Sequence, residues 1–542
     1  MSVSANSATL AAVVAIAFAF GFGFNTDAVP SREPLAVLTA LRRTAIANPG
    51  ATAQNATFVL GSNVCVDLIV PAFSVLPDVA GVQGGDRDFL RTNDDVSAVF
   101  AHFHSQGAAA ERSCAPDVFE PLVTAAGAIN SARRSLGGNA ALMARRLARI
   151  VPGGSVILAG HVGPAARALL PSSVKLAQPL SDNDEVHLIL EYARGEAGAP
   201  RANRFIVTAD TGNTDVAPML AAIRAAADSA ADVLIVAGLH MLEPLPEDRR
   251  TQALGAIAAA LTALPPATRV HVELASMADA GFTRAVATAI LGSAATSIGF
   301  NEQEAAFLYE ALGGRYAVPD VDDGSPSSRV AVAGSAPELG AVASVIRFLF
   351  EYFPRGRLSR IHFHALHFHI IAYTTEAVTS GVWRGRRAAV AASAVAATTE
   401  ACGAASIDDV SPADVALPSA STMRVADPRP ATASAGYVSL PVVRGDFAID
   451  ASSSTLLWRW SSTAGQLSFS LAPVVVCHAP ASTVGLGDAI SATGLAVDVP
   501  VPAKGSDIKG DLRASVAALL VGFQRTGERA SDAVARILAR LR

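Results

Sequence analysis

Toward the C-terminal end of the chain, Thr483-Val484-Gly485-Leu486-Gly487-Asp488-Ala489-Ile490-Ser491 follows a strand-like apolar run, Pro473-Val474-Val475-Val476-Cys477, and opens a small-residue helix. Two glycines let the backbone turn tightly and point N–H groups at an anion, and a helix N-terminus adds its positive dipole end. Asp488 stands at the mouth of this nest. A carboxylate there is poorly placed to hold phosphate, but well placed to take a proton from a hydroxyl attacking phosphorus. The segment reads as a phosphoryl-transfer site with Asp488 as base. A strand-to-helix turn capped by an aspartate has the same spacing, so the choice rests on other segments.

Those segments are His271-Val272-Glu273-Leu274-Ala275-Ser276, Gly299-Phe300-Asn301-Glu302-Gln303-Glu304, Gly137-Gly138-Asn139-Ala140-Ala141-Leu142 and Arg360-Ile361-His362-Phe363-His364. Together with residues 484–491 they resemble, in order and context, the ADP-dependent glucokinases, a branch of the ribokinase-like kinases. The similarity runs from about residue 58 to about residue 495.

The resemblance implies roles residue by residue. Asp488 would accept the proton of the sugar's 6-hydroxyl, and the N–H groups around Gly485, Leu486 and Gly487 would stabilise the transferring phosphoryl group. Thr483 and Val484 would border the nucleotide. Asn301 and Glu304, supported by Glu273 and beside Asp488, would position Mg2+ and its waters. D-glucose would be held by Asn63 and Asp67, Gly138 and Asn139, Glu111 and His187. Arg204 would reach the phosphates of ADP, and later AMP, once a lid closes and excludes water. Without the resemblance, Asn301 and Glu304 read as a helix capping box, and each sugar residue as a surface carboxylate, a turn or a strand polar residue. Two other functions stay open: an ADP-dependent 6-phosphofructokinase, and a sugar or nucleotide sensor without turnover. The first needs basic residues for the substrate's own phosphate, where Glu111 suits an uncharged sugar. The second has no use for a proton acceptor.

The elements that must position these groups alternate along the chain. Strand-like runs at 57–60, 155–159, 186–192, 204–209, 233–237, 270–274 and 474–477 are separated by helical stretches at 217–230, 249–264, 283–291 and 302–312. This predicts an α/β protein with a mostly parallel sheet wrapped by helices, whose ligands bind beyond the strands' C-terminal ends. The resemblance implies a ribokinase-like large domain within residues 55–500 and a smaller α/β lid inserted at about 84–131 and 183–212.

Composition narrows the class. Lys plus Arg number 42 against 47 Asp plus Glu, a formal charge of -5 with no basic stripe, so no nucleic-acid partner is expected. Cys65, Cys114, Cys402 and Cys477 are too scattered for a disulfide scaffold, and buried free thiols are expected, with one bridge left open for a secretory protein. In the cluster His362, His364, His367 and His369, alternation places His362 and His364 on one face of a strand, but no carboxylate or cysteine lies nearby, so core or nucleotide-side histidines are expected rather than zinc ligands. Residues 8–24 form an uncharged apolar run near the lower limit for a membrane span, and Asn55-Ala56-Thr57 is a glycosylation sequon. With the family's similar N-termini, residues 1–30 are expected to be a signal or anchor directing the protein to the endoplasmic reticulum, a cytosol-facing anchor being the alternative. Residues 504–542 have the spacing of an appended amphipathic helix, and a monomer is expected.

Overall fold

Val233–Ala237, apolar at every position, fits a strand buried on both faces, and all five of its residues are fully buried. The computed structural model describes residues 33–46, 55–314, 337–353, 357–416, 422–423, 447–448, 455–478 and 485–500, apart from isolated positions within them. In it, ten strands form the main sheet. From one edge, Val174–Leu176, Ser155–Leu158, Thr57–Ser62, Val233–Ala237, Arg269–Glu273, Ser297–Asn301 and Arg360–His364 are parallel neighbours. Phe368–Thr374, Gly465–Pro473 and Leu456–Ser462 extend it by antiparallel pairing. Ala217–Asp228, Glu247–Thr262 and Glu302–Ala311 supply helical cover close to the expected spans. Residues 287–291 of another expected helix continue Ala280–Val286 as a π-turn.

The expected strand at 474–477 is corrected. The long strand ends at Pro473, and only Val476–Cys477 pairs again, with Val415–Ala416 in a separate two-stranded sheet. The reading of four free thiols is corrected as well. Cys402 and Cys477 are bonded across 75 residues, with Cα atoms 5.5 Å apart, because the end of helix Arg387–Ala401 meets this small sheet. Cys65 and Cys114 are free and buried.

Strand Thr57–Ser62 lies between Ser155–Leu158 and Val233–Ala237, so the strand order reverses around its C-terminal end. That reversal is the ordinary ligand crevice of a doubly wound sheet. Here the chain leaves the main sheet through Asn63 and Val64 and enters a six-stranded sheet built from Cys65–Pro71, Phe89–Leu90, Ala110–Cys114, Arg133–Gly137, Val186–Tyr192 and Asn203–Thr208. Two of these strands, Cys65–Pro71 and Arg133–Gly137, fall outside the spans expected for the lid. The smaller sheet has its own core, in which Phe100 packs edge-on against Phe73, Tyr192 and Phe205.

The helix that follows the phosphate nest, Leu486–Asp498, is anchored at its far end. Asp498 accepts from Arg360 Nε and Tyr373 Oη at 2.7 Å each and from the Gly385 N–H at 3.0 Å. Among the described residues no helix is long and apolar enough to cross a membrane. The segments 1–30 and 504–542 lie outside the described residues.

Candidate active site

Three adjacent parallel strands end in polar residues, Glu273, Asn301 and His364; Asn301 and His364 are register partners, while Glu273 stands opposite Gly299. Glu273 is the hub. Its Oε2 accepts from His271 Nε2 at 2.9 Å, while Oε1 meets Ser491 Oγ at 2.9 Å and His364 Nε2 at 3.3 Å. Burial opposes ionisation, but the hydrogen bonds from His271 and His364 win and hold the Glu273 carboxyl at about 2. Burial lowers His271, whereas on His364 the Glu273 bond overcomes burial and raises the imidazole, which favours an ion pair of His364 with Glu273. His362 and His369 are fully buried, pushed well below the ordinary histidine range by burial, and belong to the core as expected.

Gly485, in the left-handed region at φ 70°, caps helix Leu486–Asp498, so the N–H groups of Leu486, Gly487 and Asp488 have no intrahelical carbonyl to meet. Gly487 is required by packing: a Cβ there would sit 2.8 Å from His364 Cε1. Asp488 lies in the first helical turn, 7% exposed, and its Oδ1 accepts from Asn139 Nδ2 at 3.0 Å. Asn139 Oδ1 in turn accepts from Asn63 Nδ2 at 3.2 Å. Burial and then the Glu273 charge push the Asp488 carboxyl up to about 7, against the Asn139 bond. A carboxyl poised at that value is a competent base near neutral pH. In Glu273→Gln the repelling charge is gone, so with Asp488 as the expected base the acid limb of kcat/KM is expected to move to lower pH. An unmoved limb in pH-rate profiles would remove Glu273 from this role.

The smaller sheet faces this cluster with its own polar set. Asp67 and His187 are register partners on parallel strands. His187 Nε2 lies 2.9 Å from Asp210 Oδ2, and Asp210 Oδ1 accepts from Asn213 Nδ2 at 2.7 Å. Asn213 also bonds both backbone groups of Val64 at 3.1 Å, fixing the point where the chain crosses between sheets. Asn63 Oδ1 and Asp67 Oδ2 are buried acceptors without a hydrogen-bond donor. Burial pushes the Asp67 carboxyl up. Glu111 is exposed at the surface, and neighbouring protein raises its carboxyl, with His187, Asp210, Asp67 and Arg204 in electrostatic range. Arg204 lies within range of Glu191, Asp67 and Glu111. A cavity of about 1130 Å³ is lined by Arg204 from the smaller sheet and by Asn301, Glu302, Gln303, His364 and Gly487 from the main sheet side.

Asn301 and Glu304 form the capping box in full. Asn301 Oδ1 accepts the Gln303 and Glu304 N–H groups at 2.9 Å, and the Glu304 oxygens accept from Asn301 N at 2.9 Å and Nδ2 at 3.0 Å. Glu304 is therefore turned toward Asn301, and it is Glu302 and Gln303 that line the cavity. Burial raises Glu302 and takes Glu304 to about 8. Thr483 and Val484 lie outside the described residues. Gly138 directly precedes helix Asn139–Ile150 and its carbonyl accepts from Leu142 N at 3.0 Å.

Sequence reasoning missed Asp210, Asn213, Glu302, Ser491 and Arg145. Ser491 is one helical turn after Asp488, a spacing that could have flagged it. Arg145 lies in electrostatic range of both Asp67 and Asp488, which only the fold makes neighbours.

A family profile described as the ADP-specific phosphofructokinase/glucokinase conserved region matches residues 56–497. The ADP-dependent glucokinase of Bos taurus is 31% identical over 450 residues, covering 80% of this chain and 83% of the relative. The probable ADP-dependent glucokinase of Caenorhabditis elegans is 33% identical over 473 residues, covering 83% and 86%. Among solved structures, an ADP-dependent kinase in complex with fructose 6-phosphate and ADPβS aligns over 86% of this chain and 98% of its own, with a TM-score of 0.58 at 16% identity. A hypothetical ADP-dependent phosphofructokinase from Pyrococcus horikoshii covers 82% of this chain and 97% of its own, with a TM-score of 0.53 at 16% identity. At such identity these two are alike in fold.

Proposed function

The chain belongs to the ADP-specific phosphofructokinase/glucokinase family, and from that premise we propose that its cleft transfers the β-phosphoryl group of ADP to the 6-hydroxyl of D-glucose, giving glucose 6-phosphate and AMP. The observation that carries this reading is the Asn63–Asn139–Asp488 chain of hydrogen bonds, which joins a residue with an unsatisfied buried acceptor on the sugar side, Asn63 Oδ1, to a carboxyl poised near neutrality at a helix N-terminus.

Sugar hydroxyls would supply the donors that Asn63 Oδ1 and Asp67 Oδ2 lack. Asp488 takes the proton as the 6-oxygen forms its bond to the β-phosphorus. The bond from that phosphorus to the α–β bridging oxygen breaks, and AMP leaves with the electron pair. Backbone N–H groups of residues 486–488 receive the charge that gathers on the phosphoryl oxygens. Burial raises the carboxyls of Glu302, Glu304 and Asp488, and a cation brought among them would favour their charged forms. These hard oxygen donors suit Mg2+, which keeps several waters rather than a full protein cage. When bound, the ion would neutralise phosphate charge, held through Glu302 or Glu304 with Asn301, and Glu273 and Asp488 behind them. Glu111 beside Asp67 favours a neutral sugar over a phosphorylated one, which separates this reading from the phosphofructokinase.

The deciding assay offers purified protein glucose and magnesium with ADP or ATP in parallel and measures AMP. AMP formed only with glucose and ADP is expected, and turnover with fructose 6-phosphate instead of glucose would overturn the substrate. Arg204→Ala is expected to lower kcat by about 10²-fold, as for removal of one donor to a reacting oxyanion, with glucose binding intact. Unchanged kinetics would remove Arg204 from the phosphates.

A further inference from the structure

One constellation is not absorbed by phosphoryl transfer. Cys65 Sγ, an Asp67 carboxylate oxygen and a His187 ring nitrogen lie within 4.8 Å of one another, and all three residues are buried. Cys65 and Asp67 are two apart on strand Cys65–Pro71 and so share a face, while His187 is the register partner of Asp67 on the next strand. On the other side, Gly137 is the register partner of Cys65. A Cβ at Gly137 would come within 2.6 Å of Cys65 Sγ and of Asp67 Cγ, so the absence of a side chain keeps the pocket clear. Asp67 is 4% exposed; its Oδ1 accepts the Cys65 thiol at 3.6 Å, and its Oδ2 has no donor. His187 is backed by a carboxylate: Nε2 is held by Asp210, itself held by Asn213, which leaves Nδ1 as the nitrogen to ligate. A carboxylate behind a histidine is the usual outer shell of a metal-bound imidazole.

We propose that Cys65, Asp67 and His187 form a site for a zinc-class divalent cation, separate from the magnesium position, and that its occupancy excludes the sugar. The second half rests on the glucose reading above, because Asp67 and His187 serve both. Mixed thiolate, imidazole and carboxylate donors match the soft-to-borderline preference of zinc and not that of magnesium. Three protein ligands leave a fourth position for water. On binding, Cys65 gives its thiol proton to solvent, since a coordinated thiol is held as thiolate by the ion's own charge.

The test uses the full chain freed of transition metals with a chelator, in magnesium buffer, titrated with Co2+ and then Zn2+. A thiolate-to-cobalt charge-transfer band, discharged by Zn2+, is expected in the wild type. Cys65→Ser is expected to lose the band entirely while keeping zinc-free kinase turnover, which shows that it is folded. Asp210→Asn is expected to weaken zinc binding by about 10–100-fold. No band in the wild type, or a band that survives in Cys65→Ser, overturns the site. Saturating glucose is expected to weaken zinc binding, with zinc inhibition competitive against glucose in the wild type and absent in Cys65→Ser. A band lost in Cys65→Ser but indifferent to glucose upholds the cation site and overturns sugar exclusion.

Discussion

Replacing Asp488 by Asn is expected to lower turnover by about 10²–10⁴-fold, the usual cost of losing a general base, while glucose and ADP still bind. Asn retains the shape and can still meet Asn139, so what is lost is the proton acceptor. The wild-type kcat/KM profile reports the free enzyme, so it should fall about tenfold per pH unit below the Asp488 value near 7. In Asp488→Asn the residual rate should lack that limb. Stability moves the other way. The folded carboxyl titrates near 7 against an ordinary 3.8, so between those values the folded state holds a proton that the unfolded chain has released. Wild-type stability therefore falls as pH rises through that window and stays reduced above it. Asp488→Asn, which cannot ionise, should be at least as stable as wild type at pH 8, with the difference closing below pH 4. Denaturant melts at both pH values measure this. An inactive variant that is also less stable at pH 8 would point to misfolding instead, and near-normal turnover would end the assignment of the base.

Asp498→Ala is expected to cost about 3–5 kcal/mol of folding stability, because it leaves the Arg360 guanidinium buried without its anion. Both side chains of the pair have 0% exposure, and Tyr373 and the Gly385 N–H lose their acceptor in the same step. The pair joins the far end of the helix that carries Asp488 to strand Arg360–His364, whose last residue is His364. Replacing both charges together, as Arg360→Met with Asp498→Leu, should recover much of the loss, since two apolar groups need no counter-ion. Urea melts of the wild type and these two variants decide the matter, and a midpoint unchanged in Asp498→Ala would show that the charge is matched by other groups.

Much of the site was legible because its motifs are local. A glycine pair before a small-residue run states a tightly turned helix start, and Asn301 three residues before Glu304 states a capping box, both of which the structure forms. Apolar runs placed four of the ten main-sheet strands, Thr57–Ser62, Ser155–Leu158, Val233–Ala237 and Arg269–Glu273, within a residue or two. The error at 474–477 has a plain cause. Val474 and Val475 are as buried and apolar as a strand, yet they carry the chain away from the sheet edge, and burial alone does not distinguish the two. The smaller sheet was underdrawn for a related reason. Cys65–Pro71 continues almost without interruption from Thr57–Ser62, and nothing in the residue pattern announces that Asn63 and Val64 hand the chain from one sheet to another.

By itself, then, residue order determined what depends on neighbours a few positions apart: strand apolarity, helix caps, the tight glycine turn and the chemical types at each site. Tertiary structure alone decided which of those sites meet. Asn139 and Asp488 are 349 residues apart in the chain and 3.0 Å apart in space, and Glu273 reaches Ser491 across 218. The same assembly decided the charge states, because an aspartate titrates near 7 only when packing removes its water and sets another carboxylate nearby. Solvent exclusion is a property of the closed fold, and no stretch of sequence contains it.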